Sequence, residues 1–231
     1  MSNILNVARM QLINKWTFLG IPMIILVSST GLTIAIWAMI PKEEGVTTLV
    51  SGSGQAVMWY FLALGIQSLT YTFPFSQAMS VSRRTFYLGT LGLFAAIALG
   101  FAILYYVLGL IESATNGWGM GGQLFALGWI TENNAVIQVL FYFVLMVLLF
   151  MIGFWFATIY LRWKTTGMLV TWIGLGVLLI AFIGFLTLNK MWMDFWGWVG
   201  SFTVPGLLLG LAGLCVLLAA GSYLTLRRAT T

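Results

Sequence analysis

Residues 134–160 read NAVIQVLFYFVLMVLLFMIGFWFATIY, residues 161–166 read LRWKTT, and residues 167–188 read GMLVTWIGLGVLLIAFIGFLTL. Each apolar run is long enough for an α-helix to cross about 30 Å of hydrocarbon at about 1.5 Å per residue. The short piece between them holds two cations, Arg162 and Lys164. Both runs are continuously apolar and do not alternate with period two, so they read as helices and not as barrel strands. The stretch is a helical hairpin with a basic turn.

Working outward, the same signature marks residues 17–40, 55–78 and 87–111 before the hairpin and 198–226 after it. The expectation is an all-α, polytopic membrane protein of about six transmembrane helices. Composition requires lipid as solvent, because a chain 61% hydrophobic and 6% charged has too few polar residues to cover a water-facing surface. Six spans leave short connections, so residues 1–231 read as a single transmembrane domain. The first run, from about Thr17, is too long for a signal-peptide core and reads as a retained signal anchor.

Charge sets the expected orientation. With the N-terminus inside, the inner segments carry Arg9, Lys15, Arg83, Arg84, Arg162, Lys164, Arg227 and Arg228 and no acid, while the other side holds Lys42, Glu43, Glu44, Glu112, Glu132, Lys190 and Asp194. Both termini are therefore expected in the cytoplasm, and an even number of spans is required to keep Arg227 and Arg228 on the basic side. The formal charge of +5 arises from ten basic residues spread in pairs, which suits a membrane surface better than nucleic acid. Residues 2–16 mix Ile4, Leu5, Ala8 and Leu12 at helical spacing with Asn3, Asn6, Arg9, Asn14 and Lys15. They read as an amphipathic interfacial helix, with Arg9 and Lys15 on anionic headgroups and Trp16 in the aromatic belt, or else as a short extension of the first span.

On the outer side, residues 45–54 form a small polar loop. Residues 112–133 interleave glycines with Trp118, Phe125 and Trp129 and are expected as a bent, aromatic-anchored element. Residues 189–200, with Trp192, Trp196 and Trp198, either dip into the interface as short re-entrant or amphipathic helices or simply anchor the chain there.

Several chemistries have no residues to carry them. The sequence holds no histidine, the usual general base and the commonest zinc ligand. Cys215 is the lone cysteine, which excludes an internal disulfide and a cysteine-rich metal site. All five acids read as lying near the outer surface, so ion-coupled transport lacks buried carboxylates, and no phosphate loop for ATP occurs. Neither a catalytic residue nor a metal site is expected. The polar residues inside the spans are uncharged. Gln67, Ser68, Thr70 and Tyr71, near the end of the second span, either bond neighbouring helices or line a substrate path. Gly206 and Gly210 in the last span read as a close-packing pair or as a dimer contact.

The second span ends in FPFSQAMSVSRRTFYLGT, residues 73–90, where Pro74 is expected to break the helix before a short basic element. This segment resembles the membrane subunits of ABC-2-type ATP-binding-cassette exporters, especially the small six-helix bacterial permeases. In those, Phe or Leu before Pro-Phe is followed by Gly-x-Ser-Arg-Arg-x-Phe-(Phe/Tyr)-x-Gly; Ser80 stands here where many relatives carry glycine. The likeness in layout covers the whole chain, but its specific part is residues 73–90. It implies two copies of such a subunit, or this one with a related permease, over two separately encoded ATPase subunits that hold ATP and magnesium. It also implies that the loop between the second and third spans couples to them through Gln77, Ser80, Ser82, Arg83, Arg84 and Thr85.

The expectation is thus a permease subunit in the bacterial plasma membrane, not itself an enzyme, exporting an amphiphilic or hydrophobic substrate. The alternative is a non-transporting membrane protein, an assembly factor or immunity protein, that binds a partner in the bilayer.

Overall fold

The computed structural model describes residues 2–12, 14–40, 49–78 and 80–227. Lys42, Glu43, Glu44, residues 45–48 and Arg228 lie outside the described residues, as do the side chains of residues 2–6, Tyr71 and Arg227.

Helix α1 (Ser2–Gln11) leads through a π-helical turn, Trp16–Gly20, into α2 (Ile21–Met39). Helix α3 (Ala56–Gln67), a second π turn at Ser68–Thr72 and α4 (Phe73–Ala78) form one continuous rod, followed by α5 (Arg83–Ala114). After the short α6 (Gly128–Thr131) come α7 (Ala135–Leu188), α8 (Trp192–Gly200) and α9 (Val204–Arg227). Five of these stretches are long and apolar enough to cross a membrane: Trp16–Met39, Ser53–Ala78, Arg83–Ala114, Ala135–Leu188 and Val204–Leu226.

The helix starts follow local chemistry. Ser82 caps α5 by accepting the Thr85 N–H at 3.2 Å, and Asn134 caps α7 by accepting the Ile137 N–H at 2.9 Å. The last long helix begins at Val204 and not at 198, because Trp192–Gly200 is a helix of its own and Thr203 Oγ1 accepts the Gly206 N–H at 3.4 Å at the new start. Pro205 then occupies the first turn of α9, where its missing N–H costs nothing. The apolar runs 134–160 and 167–188 are joined as α7, whose backbone leaves helical geometry at Lys164 (φ 53°, ψ −146°).

Pro74 does not break the second long rod. The helix continues to Ala78, and the π turn immediately before Phe73 supplies the slack that a proline ring needs against the preceding turn.

The part of α7 before Lys164 is the hub of the packing. A Cβ on Gly65 would collide with the Phe150 carbonyl, and one on Gly153 with the Leu62 carbonyl, so α3 and α7 touch backbone to backbone. Ring pairs Tyr87–Phe154, Phe94–Phe150 and Tyr105–Tyr142, at centroid distances of 5.6, 4.0 and 5.3 Å, run α5 antiparallel to α7. Within the chain, the pair Gly206 and Gly210 packs against no facing helix. A Cβ on Gly210 would meet nothing within 4 Å, and one on Gly206 would meet only the Thr203 hydroxyl. Beyond Lys164, Val170, Ile173, Leu178 and Ile180 lie well exposed, an apolar exterior that an aqueous surface does not tolerate and that fits a multi-pass membrane protein.

The two ends of the bundle differ. One end gathers residues 49–55 with 112–131: a two-residue parallel ladder pairs β1 (Leu49–Val50) with β2 (Gly122–Gln123), and the Tyr105 hydroxyl donates to the Gly54 carbonyl. The other end gathers α1, the Ser80–Arg84 turn and the end of α9.

Candidate functional site

At the second end the chain reverses from α4 to α5 through a turn of defined geometry. The Ser80 N–H donates to the Gln77 carbonyl at 3.0 Å and the Val81 N–H to the Ser76 carbonyl at 3.1 Å, the paired bonds of a Schellman motif. In that motif the residue at Ser80 adopts the left-handed region, and Ser80 does so with φ 58°. Glycine is the usual occupant, because a Cβ there strains against its own backbone. The Gln77 amide closes the turn by donating to the Val81 carbonyl at 3.1 Å, and the Ser82 and Thr85 hydroxyls lie 2.7 Å apart on the first turn of α5.

The turn is tied to two other elements, and its own flanks α4 and α5 pack on each other. Arg83 Nη1 donates to the Leu226 carbonyl of α9 at 3.3 Å. One helical turn on, the Tyr87 hydroxyl donates to the Ala219 carbonyl at 2.7 Å and lies 3.1 Å from the Ser222 hydroxyl. Gln11 Nε2 on α1 donates to Thr90 Oγ1 at 2.8 Å, and the Phe73 and Phe86 rings meet edge to face at 5.3 Å. Of the six residues assigned to the coupling loop, the structure thus brings five into one bonded turn, and the sixth, Arg84, is exposed upon it. Arg9, Lys15 and Trp16 are likewise exposed.

The polar cluster of the second rod coincides with its π turn. Ser68 is buried and donates to the Gly65 carbonyl at 2.9 Å, while Thr70 is exposed and donates to the Ile66 carbonyl at 2.9 Å; both hydroxyls are thereby engaged within their own helix. Gln67 differs, since it lines a cavity of about 490 Å³ together with Gln11, Asn14, Thr17 and Thr72. Among the described residues there is no cluster of His, Cys, Asp and Glu able to hold a metal ion.

At the opposite end stands a residue whose role the sequence did not disclose. Glu112, read as an outer-surface acid, is buried at the end of α5, with 1% of its surface exposed. Its Oε1 accepts the N–H groups of Leu124 and Ala126, each at 2.9 Å, and its Oε2 accepts the Trp118 indole N–H at 2.8 Å and the Phe125 N–H at 3.2 Å. The carboxylate draws residues 117–126 over the helix ends through a run of positive φ at Asn116, Gly117, Trp118, Gly119 and Gly121. The glycine spacing announced a bent element, and only the fold shows that one acid holds it.

No family model, no curated protein and no solved structure matches this chain.

Proposed function

We propose that this chain is the permease subunit of an ATP-driven exporter for amphiphilic or hydrophobic substrates, powered by two separate ATPase subunits and paired in the membrane with a second copy or a related permease. The observation that carries the reading is the turn from Gln77 to Thr85. It is compact and basic, and through Arg83, Tyr87 and Thr90 the first two turns of α5 bond to α9 and α1, so a push on the turn moves three helices as a body.

Six spans and an inward-facing basic end belong to the same reading. At about 1.5 Å per residue a straight 54-residue α7 would measure about 81 Å, far more than one bilayer, so the break at Lys164 divides it into two crossings. Arg83, Arg84, Arg162 and Lys164 then share one side, which the positive-inside rule assigns to the cytoplasm, and α1 lies along the inner leaflet. ATP and magnesium belong to the partner ATPases; this chain contributes the passage.

Co-purification tests the proposal. The tagged chain, expressed with its genomic neighbours, is expected to retain a protein that carries a phosphate loop, and Arg83→Glu with Arg84→Glu is expected to uncouple ATP hydrolysis from export while leaving insertion intact. A chain that never retains an ATPase, and whose double variant behaves as the parent, is the non-transporting membrane protein instead.

A further inference from the structure

The cavity of about 490 Å³ beside the basic turn has a construction of its own. One wall is the end of α1, through Met10 and Gln11; the other walls come from the two π turns, Thr17 and Phe18 from the first, and Gln67 and Thr72 at the second. π turns inside helices widen the backbone and recur where a ligand is held. Here two of them, separated by some fifty residues of sequence, open onto the same space.

The lining has a polar side and an apolar one. Gln11, Asn14 and Gln67 contribute three side-chain amides, while Phe18 and Phe75 contribute rings, and no charged side chain lines the space among the described residues. Gln11 is 3% exposed; its Nε2 is engaged with Thr90, and its Oε1 has no hydrogen-bond partner among the described residues. A buried amide oxygen left without a donor is costly; this one is closed off as the cavity stands, so a guest's hydroxyl relieves it once the Gln11 amide rotates toward the space. With the amide turned over, the unpartnered atom becomes a donor, so a hydroxyl, which both donates and accepts, serves either orientation. An ionic headgroup finds no counter-charge on these walls, and a bare hydrocarbon leaves the amides unsatisfied.

We infer that this cavity is a binding site for an uncharged, hydroxyl-bearing amphiphile of the monoacylglycerol kind, its hydroxyls on the Gln11 and Gln67 amides and its chain along Phe18 and Phe75. The occupant's role as cargo rests on the permease reading; its binding does not.

The test is equilibrium binding of radiolabelled 1-monooleoylglycerol to the purified full chain in phosphatidylcholine nanodiscs, with no ATPase present. Saturable binding of one molecule per chain is expected, weakened about tenfold or more by Gln67→Leu, the loss of one well-placed hydrogen bond, and unchanged by Ser113→Ala at the far end of the bundle. Methyl oleate, which has the same chain and no hydroxyl, is expected to bind at least tenfold more weakly, and oleate and phosphatidylglycerol are expected to compete poorly. Gln11→Leu also breaks the bond to Thr90 and is informative only if it elutes and melts as the parent. Gln67, half-buried with no side-chain hydrogen bond of its own among the described residues, carries the test regardless. Equal binding of monooleoylglycerol and methyl oleate, stronger binding of the anionic lipids, or an unaffected Gln67→Leu variant overturns the assignment. Normal binding in a chain that retains no ATPase overturns the permease reading alone.

Discussion

Glu112 Oε2 accepts the indole N–H of Trp118 at 2.8 Å while its Oε1 accepts the backbone N–H of Ala126 at 2.9 Å, so a single buried carboxylate pins both sides of the loop between α5 and α6. Four N–H donors converge on its two oxygens, and removing an acceptor leaves buried donors unsatisfied at about 1–3 kcal/mol each. Glu112→Gln replaces one acceptor oxygen by a donor facing other donors. Its expected cost is at least about 2 kcal/mol, read as a lower melting temperature in detergent, with Glu112→Ala lower still. A Glu112→Gln protein that melts with the parent would mean that the loop is held by its rings alone.

The close approach of α3 and α7 is checked by the contrast between glycines. Gly65→Ala and Gly153→Ala each drive a methyl group into a backbone carbonyl of the facing helix, which cannot rotate away as a side chain would. Overpacking of this kind costs about 1–3 kcal/mol, and both variants are expected to melt lower and to yield less folded protein by size-exclusion chromatography. Gly210→Ala meets nothing and gains helix propensity, so it is expected to melt at or above the parent temperature. A drop for Gly210→Ala equal to that for Gly65→Ala would place a partner against α9.

These two cases show where sequence reading succeeds and where it stops. Apolar runs announce the long helices, because hydropathy and length are properties of one segment at a time. The end of the second rod at Ala78 is equally local; Ser82 and Asn134 as caps are local too, but a hydropathy reading that starts the third span at 87 passes over Ser82, and it gives Asn134 no role. Glu112 is invisible because three of its partners are backbone N–H groups, which carry no sequence signal, and the spacing of Gly206 and Gly210 does not say whether a facing helix belongs to this chain, to a second copy or to neither. Pro74 misled for the same reason. Whether a helix stops at a proline or widens ahead of it depends on what the neighbouring helices require. The site residues divide likewise: the turn's residues lie together in sequence, while the cavity around Gln67 depends on α1 packing along α5 beside the second rod.

Ser80 offers a direct energetic check on the turn. It holds φ 58° with its side chain exposed, so the left-handed backbone is strain with no visible return in contacts. Ser80→Gly is expected to relieve about 1 kcal/mol and to raise the melting temperature, and Ser80→Val, β-branched at the same φ, to lower it. If valine is tolerated as well as glycine, the turn does not adopt the Schellman geometry in the membrane.

The break at Lys164 decides how often the chain crosses. On a Cys215→Ala background, single cysteines at Arg84, Asn116 and Lys164, all exposed positions, report which side of the membrane each occupies through a maleimide that cannot cross it. Two crossings in α7 put position 164 with position 84 and against position 116: the first two label in inverted vesicles and the third in intact cells. A backbone at φ 53° and ψ −146° lies close to a region that glycine alone visits readily, so Lys164→Gly is also expected to remove about 1–3 kcal/mol of strain and to raise the melting temperature without changing the labelling pattern. Labelling of position 164 from the same side as position 116 would leave five crossings, place the end of α9 opposite the Arg83 turn that it touches, and so contradict the hydrogen bond from Arg83 to Leu226 as well as the topology.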